Sequence, residues 1–499
     1  MTSTTDAITA CSKAVNLQSS PRMQQFLADL HIHSRFSRAT SKKLGVPLLA
    51  AWARLKGLTV LGTGDFTHPK WREELHEHLR YDEQSGLYLL KNPDSANEIL
   101  PELPVAVVGG AKLLDPDGIR LSEDAGGSSA APTHFMLQCE ISSIYKRGGK
   151  VRKVHNLVFM PDLETAERFS QKLGEIGNLN ADGRPILGLD SRDLLELVLE
   201  AHPQAFLVPA HIWTPWFSLF GSKSGFDRLD DCFGDLSGEV FALETGLSSD
   251  PAMNRLWSAL DNHRLISNSD AHSGENLGRE ANVFAGDISY QGILRALKAP
   301  ATADATRFLG TLEFFPEEGK YHMDGHRKCN VLLSPEETRS LGGICPVCGG
   351  PLTVGVLNRV MELADRQTPL YAKQDVAAII PPRSRGCDDA SPGIGMNPGR
   401  DQTLGDGGFA SLVPLPEILG EIYGVGPKSR KVADMYARVL ERFGPELSVL
   451  REVPDEELSA FFPPLGEAVK RMRKGDVRLQ GGFDGEYGVV RMFSDEEQR

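Results

Sequence analysis

Histidine is scarce in this 499-residue chain, 13 in all, and its placement is not random. His31 and His33 alternate in LADLHIHS. Residues i and i+2 of a strand point to one side, so the two imidazoles can converge on one ion. Asp65 and His68 follow an apolar run in TVLGTGDFTHP. Glu140 and His155 lie in two consecutive strand-like stretches, His211 closes AFLVPAH, and Asp270 and His272 close RLISNSDAH, again two apart. Imidazoles mixed with carboxylates suit divalent ions such as Zn²⁺ and Mn²⁺ rather than Ca²⁺. These nine groups exceed what one tetrahedral ion uses, so the expected cofactors are two or three divalent ions (Zn, Mn or Mg). Such ions make hydroxide available near neutral pH for attack on phosphorus. Glu140 is the candidate to bridge two ions. Asp270 is the candidate to ligate one and orient the water, which makes these two the expected catalytic residues. His76, His78, His134, His202 and His263 read as surface or core histidines.

A second set has different chemistry. His326-x-x-Cys329 and Cys345-x-x-Cys348 are chelating pairs separated by 15 residues. That is the ligand set and spacing of one structural zinc, with His322 close by as another imidazole. Seven cysteines, three of them in this module, point to a reducing compartment and hence the cytoplasm. Cys11, Cys139, Cys232 and Cys387 read as structural or incidental.

Cations and aromatics surround the first set. Lys146, Arg147, Lys150, Arg152 and Lys153 form a basic tip between Glu140 and His155. Arg35, Arg38, Lys42 and Lys43 follow the first histidine pair. In WTPWFSLFGSKSGF (213–226), Trp213, Trp216, Phe217 and Phe220 interleave with Lys223. Such aromatics stack on bases in single-strand and flipped-base sites. IYGVGPKSRKVADMY (422–436), with Lys428 and Arg430, resembles a helix-hairpin-helix turn, whose amides contact phosphate. A basic stretch, VKRMRKGDVR, follows at 469–478.

The elements that must position these groups are legible as short apolar runs alternating with helical patterns. Strands are expected at 26–32, 58–64, 134–144, 151–160, 205–210, 240–245 and 263–268. Helices are expected at 45–57, 163–177, 190–202, 250–262 and 290–299. Strand–helix alternation predicts an α/β fold, and loops at strand ends carry chemistry in a barrel. The organisation expected is a flexible tail at 1–24, a metal-dependent body at 25–318 and a zinc module at 319–366. A linker at 367–413 follows, with a disordered insert at 381–411 rich in Gly, Pro, Ser and Asp. A helical DNA-binding domain covers 414–499. Residues 80–132 read as one long irregular loop. The net charge of −13 argues against coating nucleic acid by bulk charge, though not against local basic patches. No run approaches 18 apolar residues, so no membrane span is expected. No phosphate-binding GxxxxGK[ST] loop occurs, which leaves a helicase unsupported.

Residues 26–290 resemble a PHP (polymerase and histidinol phosphatase) domain. The match rests on His31/His33, Glu140, His155, His211 and Asp270/His272. In that family the second motif has Asp and His adjacent, whereas Phe66 and Thr67 separate Asp65 from His68 here. The resemblance implies a distorted (β/α)7 TIM-like barrel, a di- or trinuclear metal centre and phosphoester hydrolysis. Over a longer span TGDFTHP, SNSDAH, GHRKC and GGICPVCGGPLTVGV make the chain similar to the endonuclease Q family. That implies a DNA repair endonuclease cutting 5′ of deaminated bases (uracil, hypoxanthine, xanthine) and abasic sites. The implied partners are such DNA and a replication sliding clamp. Arg35, Arg38, Lys146, Arg147, Lys150, Lys153, Trp213, Phe217, Lys223, Lys428 and Arg430 are the candidate DNA or substrate contacts. A histidinol-phosphate-type phosphomonoesterase and a non-catalytic DNA-binding protein are the competing expectations.

Overall fold

The computed structural model describes residues 24–99, 132–298, 305–367 and 408–497. The expected tail and nearly all of the 381–411 insert lie outside these residues. The fold is mixed α/β.

The central strands are short and apolar on both faces, as parallel strands covered on two sides must be. Strand β1 (Gln25–Asp29) pairs in parallel with β2 (Val60–Gly62), and β2 with β3 (His134–Met136). After Leu137 the chain continues into β4 (Gln138–Arg147), which forms a hairpin with β5 (Lys150–Phe159). Gly148 and Gly149 make its two-residue turn at φ +59° and +74°. That turn needs positive φ at both positions, which glycine adopts without a Cβ clash. Strand β6 (Phe206–Pro209) pairs antiparallel with β5, and β7 (Ala242–Glu244) in parallel with β8 (Arg264–Ile266).

Backbone hydrogen bonds join these pieces end to end. Ile212 N donates to Glu244 O (3.1 Å), and His33 N donates to Ala271 O (2.9 Å) beside a parallel bridge between Ile32 and Ala271. The strands thus follow one another in a closed circuit. Successive side chains divide between two apolar clusters. Phe26, Ala28, Val60, Met136, Val208 and Ile266 fall in one, and Leu27, Leu61, Phe135, Leu207 and Leu265 in the other. This is the period-2 alternation of strands. Burying both sets is what holds the strand ends in register.

Beyond the circuit, β9 (Ala281–Ala285), β10 (Arg307–Glu313) and β11 (Phe409–Ser411) extend the sheet from β1. Strand β11 falls within the stretch expected to be a disordered insert. Its Phe409 and Ala410 are buried against the sheet, and this apolar pair overrides the surrounding composition. The expected irregular loop at 80–132 is also corrected. Leu79–Asp82 and Leu87–Leu90 form an antiparallel pair, and Asp94–Ile99 is a helix. The expected helix at 250–262 shrinks to Pro251–Asn254 and a 3-10 turn at Ser258–Leu260. The buried Arg255 guanidinium donates to the Leu260 and His263 carbonyls, fixing a tighter path than a helix allows.

Five helices follow: Leu415–Tyr423, Arg430–Phe443, Glu446–Arg451, Asp455–Phe461 and Pro463–Lys474. This block is docked by a buried ion pair, Lys56 Nζ to Glu446 Oε2 at 2.5 Å. Tyr436 Oη and Leu415 N also donate to the Glu446 carboxylate (2.7 and 3.0 Å). The chain then returns to the cysteine module through the pair Arg478–Gln480 and Val489–Arg491. Met323 N donates to Gly482 O (2.8 Å) and Arg327 N to Asp484 Oδ2 (2.7 Å).

Candidate metal centre

The circuit brings distant residues together at or just past its strand ends. One group of ligand atoms comprises His31, His33, Glu140 and Asp270, and a second comprises Glu140, His155 and His211. Within each, the atoms lie within 4.8 Å of one another. Glu140 belongs to both. Its Oε2 faces His33 Nε2 (3.2 Å) and His31 Nε2 (3.6 Å), while its Oε1 faces His155 Nδ1 (2.6 Å) and His211 Nε2 (3.2 Å). Asp270 Oδ1 closes the first group, 3.0 Å from His33 Nε2 and 3.5 Å from His31 Nε2.

The chemistry of these atoms fits divalent ions. Among the described residues, His31 Nε2, His33 Nε2 and Asp270 Oδ1 are buried and have no hydrogen-bond partner. Orphaned buried polar atoms cost about 1–3 kcal/mol each, a cost that coordination removes. Their opposite ring nitrogens are already engaged. His31 Nδ1 donates to Glu244 Oε1 (3.0 Å), and His33 Nδ1 to Asp65 Oδ1 (3.0 Å). Such carboxylates fix the tautomer and aim the free Nε2 lone pair at the ion. Burial alone would raise the Glu140 carboxyl, but His155 and Arg184 outweigh it and hold the group well below its usual range. Asp270 is held low against burial in the same way, by His31 and His33. Burial pushes His155 down to about 4, so its imidazole is neutral and able to ligate at pH 7.

Asp65, His211 and Asp270 adopt positive φ (+47°, +29° and +47°). Non-glycine residues seldom do so, and such strain concentrates at functional sites. Glu244 is the residue that sequence reasoning missed. Besides His31 it accepts the His211 amide (2.8 Å) and Asn268 Nδ2 (2.9 Å). Its signal was a single acid ending the apolar run VFALE. Arg184 was missed as well, and nothing in its local sequence marks it.

Of the nine expected ligands, the structure groups six. Asp65 instead supports His33 and accepts from Ser34 N, Ser34 Oγ and Ser37 Oγ (2.7, 2.6 and 3.0 Å). His68 precedes the helix Pro69–His78 and stacks on Phe36 (4.4 Å between ring centroids). The two residues between Asp65 and His68 carry the imidazole away from the ligand groups. His272 lies against the His33 ring (4.4 Å), with its Nδ1 donating to the Asp270 carbonyl (2.9 Å).

The contact residues separate similarly. Trp213 is a correction, being 1% exposed. It packs on Phe220 and Trp257, and its Nε1 donates to Asn254 Oδ1 (2.7 Å), so it belongs to the core. Its neighbours do reach the rim. Phe217 stands 4.8 Å from the His155 ring with Lys153 Nζ 5.0 Å from its centroid, and Trp216 is exposed and meets Tyr321 edge-on (5.6 Å). Lys146, Lys150 and Lys223 are exposed. Arg147 is tied to Asp190 (3.1 Å), Arg35 to Glu74 (2.6 Å) and Arg38 to Asp182 (3.2 Å).

In the cysteine module the ligand atoms of His326, Cys329, Cys345 and Cys348 lie within 4.8 Å of one another, and His322 stays outside this group. Cys348 Sγ is 3.4 Å from His326 Nδ1. This four-donor set fits one tetrahedral zinc. In the helical block, Gly424 ends Leu415–Tyr423 at φ +63°, and the Ser429 hydroxyl accepts from Val432 N to open Arg430–Phe443. The turn between them is exposed, with Lys428 3.2 Å from Glu275 and Arg430 exposed on the same surface. Glu275 follows His272 by three residues in the sequence.

Residues 414–476 match the family described as the MJ0043 C-terminal domain. An uncharacterized protein of Methanocaldococcus jannaschii, MJ0043, is 29% identical over 286 residues, 56% of this chain and 31% of that protein. The chain therefore spans only about a third of that relative. An uncharacterized protein of Bacillus subtilis, YqxK, is 26% identical over 488 residues, 94% of this chain and 100% of that protein. Among solved structures, the lesion-specific endonuclease PfuEndoQ of Pyrococcus furiosus superposes with a TM-score of 0.71 at 28% identity. That match covers 94% of this chain and 95% of PfuEndoQ. The chain is thus similar to endonuclease Q over nearly its whole length. A second endonuclease Q structure, holding a 27-mer duplex with an abasic lesion at its active site, gives the same TM-score and identity over 95% of this chain and 98% of that one. The likeness to endonuclease Q thus takes in the strand circuit, the cysteine module and the helical block together. Among the described residues no helix is long and apolar enough to cross a membrane.

Proposed function

We propose that this protein is a metal-dependent DNA repair endonuclease that hydrolyses the phosphodiester 5′ of deaminated bases and abasic sites. The observation that carries the reading is the pair of ligand groups sharing Glu140, in a chain similar to a lesion-specific endonuclease over nearly its full length. We read the closed strand circuit as a PHP-type barrel spanning 25–318, with two divalent ions at its mouth. The module at 319–366 holds one structural zinc, and the block from 414 is the DNA-binding domain. The cytoplasm is the corresponding compartment.

Ions bound at the two groups would supply a hydroxide at neutral pH and neutralise charge on the phosphoryl oxygens. Glu140 offers one oxygen to each group and so fixes their separation. Asp270, 28% exposed, is the ligand nearest solvent and can also orient the attacking water. Glu244 and Asp65 keep His31 and His33 in the tautomer that presents Nε2. Trp216 and Phe217, not Trp213, form the aromatic lip on which an extruded base would stack. A damaged base pairs poorly and costs less to extrude, which favours lesions over normal nucleotides. The exposed turn at 424–429 suits a DNA phosphate.

The test is end-labelled duplex carrying one uracil, hypoxanthine or abasic site, incubated with protein and Mg²⁺, Mn²⁺ or Zn²⁺. A single nick 5′ of the lesion, absent with Asp270→Asn, supports the function. No nick with any metal refutes it.

A further inference from the structure

The segment Gly177–Leu187 crosses the mouth of the circuit and is tethered on several sides. Gly183 N donates to Phe36 O (3.0 Å), and Ser142 N donates to Pro185 O (3.0 Å). Asp182 accepts from the Arg38 amide (3.3 Å) and the Arg184 amide (3.1 Å), and faces Arg38 Nε at 3.2 Å. A Cβ on Gly183 would lie 2.3 Å from Asp65 Oδ2 and 2.6 Å from Ser37 Oγ, so only glycine lets the segment come this close.

These tethers deliver Arg184 to the centre. Its terminal nitrogen donates to Glu140 Oε2 (3.0 Å), and among the described residues Glu140 is the acceptor its side chain has. The side chain is 27% exposed, so the fork is not enclosed. The same Glu140 oxygen faces His31 and His33. Were an ion held by the Glu140 groups, the guanidinium would lose part of its counter-charge, and its remaining donors could serve a tetrahedral anion bound beside those groups. A planar fork of N–H donors matches two phosphate oxygens.

We propose that Arg184 is a catalytic residue that grips the scissile phosphate and stabilises the charge that grows on its oxygens during hydrolysis. It forms no covalent bond and transfers no proton. The electrostatic role is that of a preorganised donor aimed at developing charge. The proposal rests on the phosphodiesterase reading above, and its test is separable from that reading.

Inorganic phosphate is titrated calorimetrically into the metal-loaded full chain, with Arg184→Ala, Arg184→Lys and Arg184→Gln compared after their folding is checked by thermal melts. Ala and Gln should weaken phosphate binding by about tenfold or more, and Lys by less, with barrel metal content unchanged by elemental analysis. Added guanidinium should restore part of the nicking lost in Arg184→Ala. Phosphate affinity within about threefold of wild type, or no phosphate binding by the wild type, would overturn the assignment. So would a parallel loss of barrel metal, which would make Arg184 a support for Glu140. A wild-type chain that binds phosphate but nicks no lesion DNA would refute the proposed function and leave the Arg184 comparison valid.

Discussion

Two regions of this molecule gather metal-ligating side chains, and they do so in opposite styles. The centre at the strand ends draws six residues from across 240 positions of sequence, buries most of them, and mixes imidazole with carboxylate. The cysteine module draws four residues from 23 positions, leaves Cys348 exposed, and relies on thiolates. The first is assembled by the fold. The second must help assemble its own fold, because strands of three residues and two short helices bury little. The difference is the one that separates catalytic from structural metal sites in general.

Substitutions should expose that contrast. The largest expected effect is Glu140→Gln, which removes the one carboxylate common to both groups. Lesion-DNA nicking should fall by about a thousandfold or more, with the metal content of that centre falling alongside, while the thermal melt of the cysteine module stays in place. Cys345→Ser should do the reverse. Zinc is lost and the module opens to proteolysis, while the six-residue centre keeps its metal by elemental analysis. If Cys345→Ser also strips metal from the six-residue centre, the two sites are coupled and the contrast fails. Smaller effects are expected one layer out from the ligands. Glu244→Gln and Asp65→Asn should each cost about 10- to 100-fold in metal affinity or nicking rate. Trp213→Ala should destabilise by about 3–5 kcal/mol in urea, whereas Trp216→Ala should leave stability near wild type and lower lesion cleavage.

The pH responses should run in opposite directions. Cys345 is buried, which alone would raise it, but the amides of Cys348 and Val347 pull the thiol down to about 6. A depressed thiol contributes stability that is complete above the ordinary thiol range and is lost as pH falls toward 6. Zinc retention should follow that window. At the junction of the catalytic body and the helical block, burial pushes Glu318 up to about 9, with Glu417 and Glu317 adding to the shift. A raised carboxyl contributes stability that is complete below the ordinary carboxyl range and is lost as pH rises through about 9. Amide exchange in the helix Leu415–Tyr423 should therefore speed up on the alkaline side while the zinc module is still loaded.

Much of this was legible in the sequence, and the parts that were not have physical causes. The strands carrying His31, Glu140, His211 and Asp270 announce themselves as apolar runs ended by a polar ligand. The CxxC and HxxC pairs are local, so their spacing speaks directly. Asp65 and His68 could not be sorted by spacing, because the backbone turns sharply at Asp65 and sends the two side chains to different neighbours. Trp213 and Trp216 look alike in a sequence, and only the packing of Phe220 and Trp257 tells the core residue from the rim residue. Glu244 and Arg184 are single residues in otherwise ordinary segments. Their importance comes from partners 213 and 44 positions away.

The return of the chain from Lys474 to the cysteine module has a mechanical consequence. The helical block is pinned at one end by β11 in the main sheet and at the other by Phe483 and Asp484 against Met323 and Arg327. A body fastened at two separate points cannot swivel about either. Any shift of the helical block must therefore be transmitted to the cysteine module as well.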